Sequence, residues 1–216
     1  MQRLRIKYSR GPELKYLAHL DLMRLWERAL RRAEVPLSYS EGFTPHAHIS
    51  MALPLPVEVT GEAELMDAFL RRRISPFYFV TRVSRQLPQG IAISQVEEVS
   101  PTAPSLQSVV SFADYQVKVA GPATRAELET AIQRLLDAAE LPWQHQRDKE
   151  TKRYDLRALI DDIYIQGQQD GLWVLGMRLV CDWRGSGRAE QVTAALGLKA
   201  YPCSIHRARL ILHSGR

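Results

Sequence analysis

The chain has 216 residues, of which 45% are hydrophobic, 25% charged and 8% aromatic. These ordinary globular values exclude a mainly disordered or collagenous chain, and no apolar run approaches the roughly 18 residues of a membrane-spanning helix. Lys and Arg total 29 against 24 Asp and Glu, which favours a polyanionic partner without establishing one. Because the first residues lack the apolar segment of a secretory signal, we expect a cytoplasmic protein without membrane contact.

The first part of the chain predicts alternating strands and helices. Leu4, Ile6 and Tyr8 alternate with basic residues, which is the period of a half-buried strand. Apolar residues then recur at helical spacing from Leu20 to Ala33. The remaining predicted elements are strands at 48–53, 64–70 and 91–96, and a helix from Ser75 and Pro76 to about Gln86.

The uncharged stretch 100–108 contains two prolines and predicts a linker between a module of residues 1–99 and a module of residues 109–216. The second module begins with a strand and a helix, and Thr124 with Glu127 forms the capping-box pattern at the helix start. The other elements predicted there are a hairpin within 144–157, strands at 172–180 and 205–212, and a helix at 189–196.

Each module is therefore expected to run strand, helix, strand, strand, helix, strand, the order of the ferredoxin-like arrangement. We predict an α+β protein made of two tandem ferredoxin-like modules (βαββαβ) with antiparallel sheets. Right-handed crossovers would place both helices of a module on one sheet face and leave the other face for a partner.

The predicted opening helix carries a basic stripe, because Arg24, Arg28 and Arg31 share one face. Residues 1–32 hold nine basic and three acidic side chains, so positive charge is concentrated in this segment. Arginines on a rigid element neutralise phosphates, which points to nucleic acid. The alternative is a solvated surface helix on which Glu27 pairs with Arg31.

Three side chains are candidates for acid–base chemistry: His19 and Asp21 at the start of this helix, and His46 in the following loop. A neutral histidine near a helix start is a general acid or base near pH 7, and a metal-free nuclease needs little more besides cations that hold phosphate. The alternative is that His19 caps or packs the helix entry and Asp21 only offsets the helix dipole.

The loop at 39–48 is dense in aromatic and polar residues, and Tyr39 and Phe43 are suited to stack on unpaired bases. The alternative is a turn whose backbone geometry Gly42 and Pro45 fix.

Metal and cofactor chemistry has little support. His46 and His48 would bind a metal only if Glu41 or His19 completed the set. The two cysteines, Cys181 and Cys203, cannot supply a disulfide framework, a four-thiolate zinc site or the three ligands of an iron–sulfur cluster. We therefore predict neither a metal site nor a cofactor.

The turn before the last predicted helix consists of Gly185, Ser186, Gly187 and Arg188. Glycines permit close backbone approach, and free N–H groups at a helix start attract an anion. The spacing matches neither the Walker loop nor the dinucleotide fingerprint, so it assigns no nucleotide. Arg207 and Arg209 alternate on the final strand and would join this patch, whereas the alternative is a simple turn with Ser186 as the N-cap.

Several motifs resemble the radical-SAM-linked protein family, a bacterial family found beside or fused to a B12-binding-type radical SAM protein. The matching residues are YLAHLDLMR (16–24), RRA (31–33), Pro36, YS (39–40), GFTPH (42–46), DLR (155–157), GSG (185–187) and IHR (205–207). Members are encoded near an RNase G-type ribonuclease and ribosomal protein genes. The resemblance therefore implies a radical SAM protein as partner and an RNA context.

We accordingly predict a non-catalytic accessory protein that binds RNA, without DNA specificity, and presents it to a radical SAM enzyme. The basic stripe, residues 185–188 and Arg207 would hold phosphates. The tandem ferredoxin-like order is also similar to that of the CRISPR repeat-processing endoribonucleases, which implies the alternative of a metal-independent ribonuclease. A protein-interaction module without RNA binding is the third possibility.

Overall fold

A computed structural model describes residues 1–43, 45–121, 124–147 and 150–213. The chain divides into two compact units: unit 1 is Met1–Val110 with His213–Arg216, and unit 2 is Ser111–Leu212. Both units are α+β with antiparallel strand pairing, as predicted. Within the described residues, no helix has the length and apolar character needed to span a membrane.

Unit 1 is built on four neighbouring strands. In chain order it contains β1 (Gln2–Arg10), α1 (His19–Arg32), β2 (Ile49–Met51), β3 (Val59–Leu70), α2 (Pro76–Val83), β4 (Ile91–Val99) and α3 (Leu106–Val109). β1 pairs antiparallel with β3 on one side and β4 on the other, and β2 pairs antiparallel with β3. The strands therefore lie in the order β2–β3–β1–β4.

The core of unit 1 follows the predicted periodicities. Leu4, Ile6 and Tyr8 of β1 are buried, and α1 begins and ends one residue before its predicted bounds. The apolar stripe of α1 is buried against the sheet, where the rings of Trp26 and Tyr8 meet edge to face with centroids 5.0 Å apart. Because α1 buries this stripe, its opposite side carries the arginines.

The second helix of unit 1 is shorter than predicted. Ser75 caps it as expected, since its Oγ accepts a hydrogen bond from the backbone N–H of Tyr78 at 3.1 Å. The α-helix ends at Val83, and a 3-10 helical turn, Ser84–Gln86, follows. This turn places Arg85 outside the regular helix.

Residues 100–108, the predicted linker, make contacts within unit 1. The guanidinium of Arg3 donates to the carbonyl oxygens of Ala103 at 2.6 Å and Pro104 at 2.9 Å. The last residues of this stretch enter α3, where Leu106 is fully buried. The division between the compact units falls after Val110.

Unit 2 has a second group of paired strands and a separate hairpin. Its elements are β5 (Val110–Val119), α4 (Arg125–Asp137), β6 (Pro142–Arg147), β7 (Glu150–Asp155), β8 (Ile160–Gln169), β9 (Leu172–Asp182), β10 (Gly185–Ser186), α5 (Ala189–Ala195) and β11 (Ser204–Leu212). β9 pairs antiparallel with β5, β8 and β10, and β11 lies next to β5. β6 and β7 pair with each other as a two-stranded sheet.

The structure confirms two of the local predictions for unit 2 and adds a strand that was not predicted. The capping box is present, because Thr124 and Glu127 exchange hydrogen bonds at the start of α4. The hairpin within 144–157 is β6–β7. The sheet strand β8 was not predicted, because register shifts at Ile160/Asp162 and Ile165/Gly167 break its alternation.

Asp155 and Arg157 fix the base of the β6–β7 hairpin. Oδ1 of Asp155 accepts hydrogen bonds from the backbone N–H groups of Leu141 at 2.8 Å and Arg157 at 2.9 Å. Arg157 donates to the carbonyl oxygens of Leu136, at the end of α4, and Ile160, at the start of β8. The DLR motif is thus a structural clamp that positions the hairpin.

Candidate nucleic-acid interface

A cavity of about 550 Å³ lies between α1 and the 3-10 turn after α2 in unit 1. Arg24, Arg28 and Arg32 line it from α1, and Arg85 lines it from the turn. We call this cavity the arginine groove. Its other lining residues are Leu17, Asp21, Leu25, Ala29, Gln86, Leu87 and Pro88. The groove thus combines an apolar floor with four guanidinium groups and a single carboxylate.

Most of the positive charge in the groove is uncompensated. Nη1 of Arg24 lies 3.2 Å from Oδ1 of Asp21, but both side chains are more than half exposed, so this pair contributes little energy. Arg28, Arg32 and Arg85 are exposed, and none has a hydrogen-bond or ion-pair partner in the described part of the chain. Three guanidinium groups are therefore available to an anion.

The groove differs from the predicted stripe in one position. Arg31 is exposed but does not line the cavity, which follows the i, i+4 ridge of α1 through Arg28 and Arg32. Glu27 forms no ion pair with Arg31 among the described residues. The spacing of Arg24, Arg28 and Arg32 was a usable signal in the sequence. No signal in the sequence linked Arg85 to these residues, because Arg85 comes from another element.

The basic residues of β1 do not belong to this interface. Arg3 and Arg5 both donate to the carboxylate of Asp67, which is fully buried. Arg10 is fully buried and donates to three backbone carbonyl oxygens, those of Leu17, Pro56 and Val59. These three arginines hold the fold together, so the arginines that residues 1–32 offer to a ligand all lie on α1.

The three candidates for acid–base chemistry are not assembled into a site. His19 is the first residue of α1 and is not its N-cap, which is Ala18. Asp21 pairs with Arg24, and His46 is exposed in the loop. In the described part of the structure, no hydrogen bond or ion pair joins any two of His19, Asp21 and His46. Nδ1 of His19 is buried without a hydrogen-bond partner there.

Backbone pairing closes the loop that contains Phe43. Tyr39 and Ala47 form an isolated antiparallel bridge. The N–H of Ser40 donates to the carbonyl oxygen of His46 at 2.9 Å, and the N–H of His46 donates to Oγ of Ser40 at 3.0 Å. His46 therefore has a structural role at the loop base through its backbone.

The two aromatic residues predicted to stack on bases differ in availability. Phe43 is fully exposed next to Gly42, whose φ of 126° favours glycine. Tyr39 is half-buried, and the guanidinium of Arg71 lies over its ring at 5.4 Å from the centroid. Phe43 therefore offers a free aromatic face, whereas one face of Tyr39 is already occupied.

No metal centre is evident among residues 1–43, 45–121, 124–147 and 150–213, since no three His, Cys, Asp or Glu side chains in them are grouped to hold an ion. The ring of His48 instead packs edge to face with Phe69. Cys181 is buried and Cys203 is exposed.

A second cavity, of about 580 Å³, lies in unit 2 between the β6–β7 hairpin and the β9–β10 turn. We call it the hairpin cavity. Its lining residues are His145, Lys152, Arg153, Tyr154, Asp155, Ala158, Leu159, Arg184, Gly185, Ser186 and Arg188. Three of the four predicted turn residues thus line a cavity. The contribution of the hairpin was missed, because strand pairing alone brings it to the turn.

Gly187 and Ser186 have roles different from those predicted. A Cβ atom on Gly187 would lie 2.7 Å from the carbonyl oxygen of Leu159, so this glycine is required by close packing. Ser186 is not the N-cap of α5, which is Arg188 without a side-chain cap. Because α5 has only seven residues, we assign no anion site to its N-terminus.

The cations of the hairpin cavity are partly compensated. Arg184 pairs with Asp182 at 2.8 Å, and Nη1 of Arg188 lies 3.9 Å from Glu190. Lys152 and Arg153 are exposed and have no partner within the described residues.

Tyr154 is a half-buried polar group of the hairpin cavity. Its hydroxyl donates to the side-chain oxygen of Gln191, and its ring meets that of His145 edge to face at 5.8 Å. Burial raises the pKa of Tyr154 and outweighs the opposing hydrogen bond with Gln191. The phenol is therefore a neutral group at physiological pH.

Arg207 and Arg209 do not extend this cavity, contrary to expectation. Arg207 is fully buried, although it shares a face of β11 with Arg209. Arg209 is exposed but donates to Asp114 at 2.7 Å, and Asp114 also accepts from Arg178 at 2.8 Å.

Comparison with solved structures shows that the fold is similar to that of a known chain. A search of curated proteins found no match. A solved Cbf5–Nop10–Gar1 complex contains a similar chain, with a TM-score of 0.50, 8% identity and coverage of 97% of this chain and 48% of that chain. An archaeal box H/ACA sRNP Nop10–Cbf5 complex matches with a TM-score of 0.46, 11% identity, and coverage of 97% and 47%. The chain spans about half the length of each matched chain. The similarity to the chain of the Cbf5–Nop10–Gar1 complex shows the fold alone.

The family comparison covers most of the chain. A model described as "Uncharacterized protein conserved in bacteria (DUF2344)" matches residues 3–189, which include the arginine groove and the residues lining the hairpin cavity. The chain belongs to this family of proteins conserved in bacteria.

Proposed function

We propose that this protein binds RNA through the arginine groove and serves as an accessory protein of a radical SAM enzyme. The observation that carries the RNA proposal is the convergence of four arginines from two elements on one cavity, three of them without an ion-pair partner among the described residues. Guanidinium groups bind phosphate oxygens in a fixed geometry, and neutralising phosphates releases counterions.

The exposed aromatic ring of Phe43, also in unit 1, favours a single strand. Phe43 exposes a free aromatic face, and stacking on aromatic side chains is how proteins hold unpaired bases. The accessory role rests on the resemblance to the radical-SAM-linked family, which supplies the expected partner. In this proposal the radical SAM protein performs the reaction and this chain holds the RNA.

The direct test is a titration of a labelled single-stranded RNA across a series of salt concentrations. We expect the wild-type affinity to fall with salt, with a log–log slope of roughly −0.7 for each phosphate neutralised. The variant Arg28→Ala/Arg32→Ala/Arg85→Ala removes three exposed arginines and should lower the affinity at least about tenfold and flatten the slope by about 2.

The matched control is Arg72→Ala, which removes an exposed arginine of unit 1 that has no partner in the described residues and lies outside the groove. It should bind RNA nearly as the wild type does. Equal affinity of the triple variant and the wild type would exclude the groove as the RNA site.

The radical SAM partnership is tested separately by co-expression of the two proteins and purification through a tag on this chain. We expect a complex that the triple groove variant preserves. Failure to recover the radical SAM protein, with RNA binding intact, would remove the accessory role and leave the RNA site.

We also propose that each unit is a variant of the ferredoxin-like module. Unit 1 has the expected element order, and its strands lie in the order β2–β3–β1–β4. In unit 2 the β6–β7 hairpin would then be an insertion between α4 and the sheet strand β8. An experimentally determined structure of each unit would test this assignment.

A further inference from the structure

We propose that the hairpin cavity of unit 2 is a nucleotide site, in which Lys152, Arg184 and Arg188 hold a phosphate and Trp183 stacks on the base. This proposal does not depend on the arginine groove, because it rests on residues of unit 2 alone. The ligand chemistry is a phosphate ester next to an aromatic ring, supplied by a free mononucleotide or by one nucleotide of a single strand.

The two walls of the cavity, the β6–β7 hairpin and the β9–β10 turn, are each held in place by their own hydrogen bonds. The clamp formed by Asp155 and Arg157 anchors the β6–β7 hairpin. On the other wall, the backbone N–H of Gly187 donates to the carbonyl oxygen of Val180 at 2.8 Å and ties the turn to β9. Both walls are therefore tied to regular elements before any ligand arrives, which lowers the entropic cost of binding.

The charge of the lining is strongly unequal. Lys152, Arg153, Arg184 and Arg188 line the cavity, and Asp155 is the one carboxylate among its lining residues. Asp155 accepts two backbone hydrogen bonds at the base of the hairpin, and its one negative charge offsets only one of the four cations. Asp182 compensates Arg184 by accepting hydrogen bonds from its Nε and Nη2, whereas Glu190 lies 3.9 Å from Nη1 of Arg188. Lys152 and Arg153 have no partner within the described residues. An incoming phosphate would therefore meet net positive charge.

Trp183 supplies the aromatic group. It lies in the β9–β10 turn directly before the lining residue Arg184, at the edge of the cavity lining and not within it, and is 91% exposed. Gly185 has a φ of 148°, which lets the chain turn tightly back from Trp183 into β10. A large apolar ring presented to water next to cations is the combination that single-strand binding proteins use for stacking and phosphate contact.

The size of the cavity favours a nucleotide over a small inorganic anion. Its volume of about 580 Å³ lies within the range of roughly 300–1,000 Å³ typical of small-molecule sites. Tyr154 and His145 add an aromatic wall within the cavity. Because phosphate alone fills a small part of this space, the base should contribute to affinity.

The test is calorimetric titration of the full chain with inorganic phosphate, adenosine monophosphate and a five-nucleotide oligoadenylate. We expect the mononucleotide to bind more tightly than phosphate. Lys152→Ala/Arg188→Ala should weaken binding of all three probes about tenfold or more. Trp183→Leu should reduce nucleotide binding and leave phosphate binding unchanged.

Tryptophan fluorescence gives a second readout. Trp26 and Trp173 are buried, with 0% and 7% exposure, whereas Trp143 in β6 is half-buried. Quenching that the wild type shows and the Trp183→Leu variant loses is therefore assigned to Trp183. The matched control is Lys199→Ala, which removes an exposed lysine of unit 2 outside the cavity. It should leave all three affinities unchanged.

Several outcomes would overturn the proposal: no binding of any probe at millimolar concentration, equal affinities for phosphate and mononucleotide, or nucleotide binding that the Lys152→Ala/Arg188→Ala variant retains. A mononucleotide affinity equal to that of the oligonucleotide identifies the free nucleotide as the ligand, and a clearly tighter oligonucleotide identifies a single strand. The triple groove variant should keep mononucleotide binding, so failure of the groove and failure of this cavity are distinguishable.

Discussion

The first strand and the first helix both concentrate arginines, but they use them in opposite ways. Arg3 and Arg5 of β1 surround the buried carboxylate of Asp67. Arg28 and Arg32 of α1 are exposed and have no partner among the described residues. The comparison shows that a count of basic residues does not measure the charge that a ligand meets.

The difference follows from the position of each element. β1 lies between β3 and β4, so its side chains are surrounded by neighbouring strands and must find partners inside the protein. α1 buries only one stripe and leaves its other side in water. An arginine therefore becomes structural on the strand and available on the helix.

Among the variants that test this difference, Asp67→Ala should lower the free energy of unfolding the most. Removing the buried carboxylate leaves the guanidinium groups of Arg3 and Arg5 without their shared acceptor, which should destabilise the fold by about 3–5 kcal/mol. Denaturant unfolding measures this change. The control is Asp21→Ala, whose exposed pair with Arg24 should be worth less than about 1 kcal/mol. Equal stabilities of the two variants would remove the distinction between buried and exposed arginines.

An intermediate case lies in unit 2, where Asp114 accepts hydrogen bonds from Arg178 and Arg209. Burial acts to raise the pKa of Asp114, but the hydrogen bonds from the two arginines outweigh it and lower the pKa below its usual value. The stability from this carboxylate is therefore present above the ordinary aspartate pKa of about 3.9 and is lost as the pH falls through the lowered folded-state value.

The variant Asp114→Asn should accordingly be destabilised by about 1 kcal/mol at neutral pH. The difference from the wild type should shrink as the pH falls below about 4, because both proteins then lack the charge. Unfolding curves at neutral and acidic pH measure it. A difference that is independent of pH would show that the ion pairs of Asp114 do not stabilise unit 2.

The smallest effect on stability is expected from Arg28→Ala. This exposed helix position has no partner in the described residues, so the free energy of unfolding should change by less than about 0.5 kcal/mol. The same variant should reduce RNA affinity and lower the salt slope by about 0.7. Thermal unfolding and RNA titration on one sample provide the measurement, and a large loss of stability would place Arg28 with the structural arginines of β1.

The elements predicted best from the sequence depend on neighbouring residues. The alternation of β1, the apolar stripe of α1 and the capping box of α4 each involve positions within a few residues of one another. β8 was missed because two register shifts interrupt its alternation. The short α2 was overestimated because its last residues form a 3-10 turn.

The candidate sites were predictable only in part. Arg24 and Arg28 follow from helical spacing, and Gly185 and Arg188 follow from the turn motif. Arg85 and the hairpin residues were not predicted, because they reach their cavities from other elements. The burial of Arg207 could not be predicted either, because its alternation with Arg209 is equally consistent with an exposed face.

The sequence by itself determined where the helices and most strands form and that positive charge gathers in the first helix, since both depend on spacing along the chain. The tertiary structure alone decided which cations remain available. Arg3 meets Asp67 across 64 positions of sequence, and Arg85 joins Arg28 only when α2 has packed near α1. Whether a charged side chain is buried depends on such distant partners, because its desolvation must be offset wherever the fold places it.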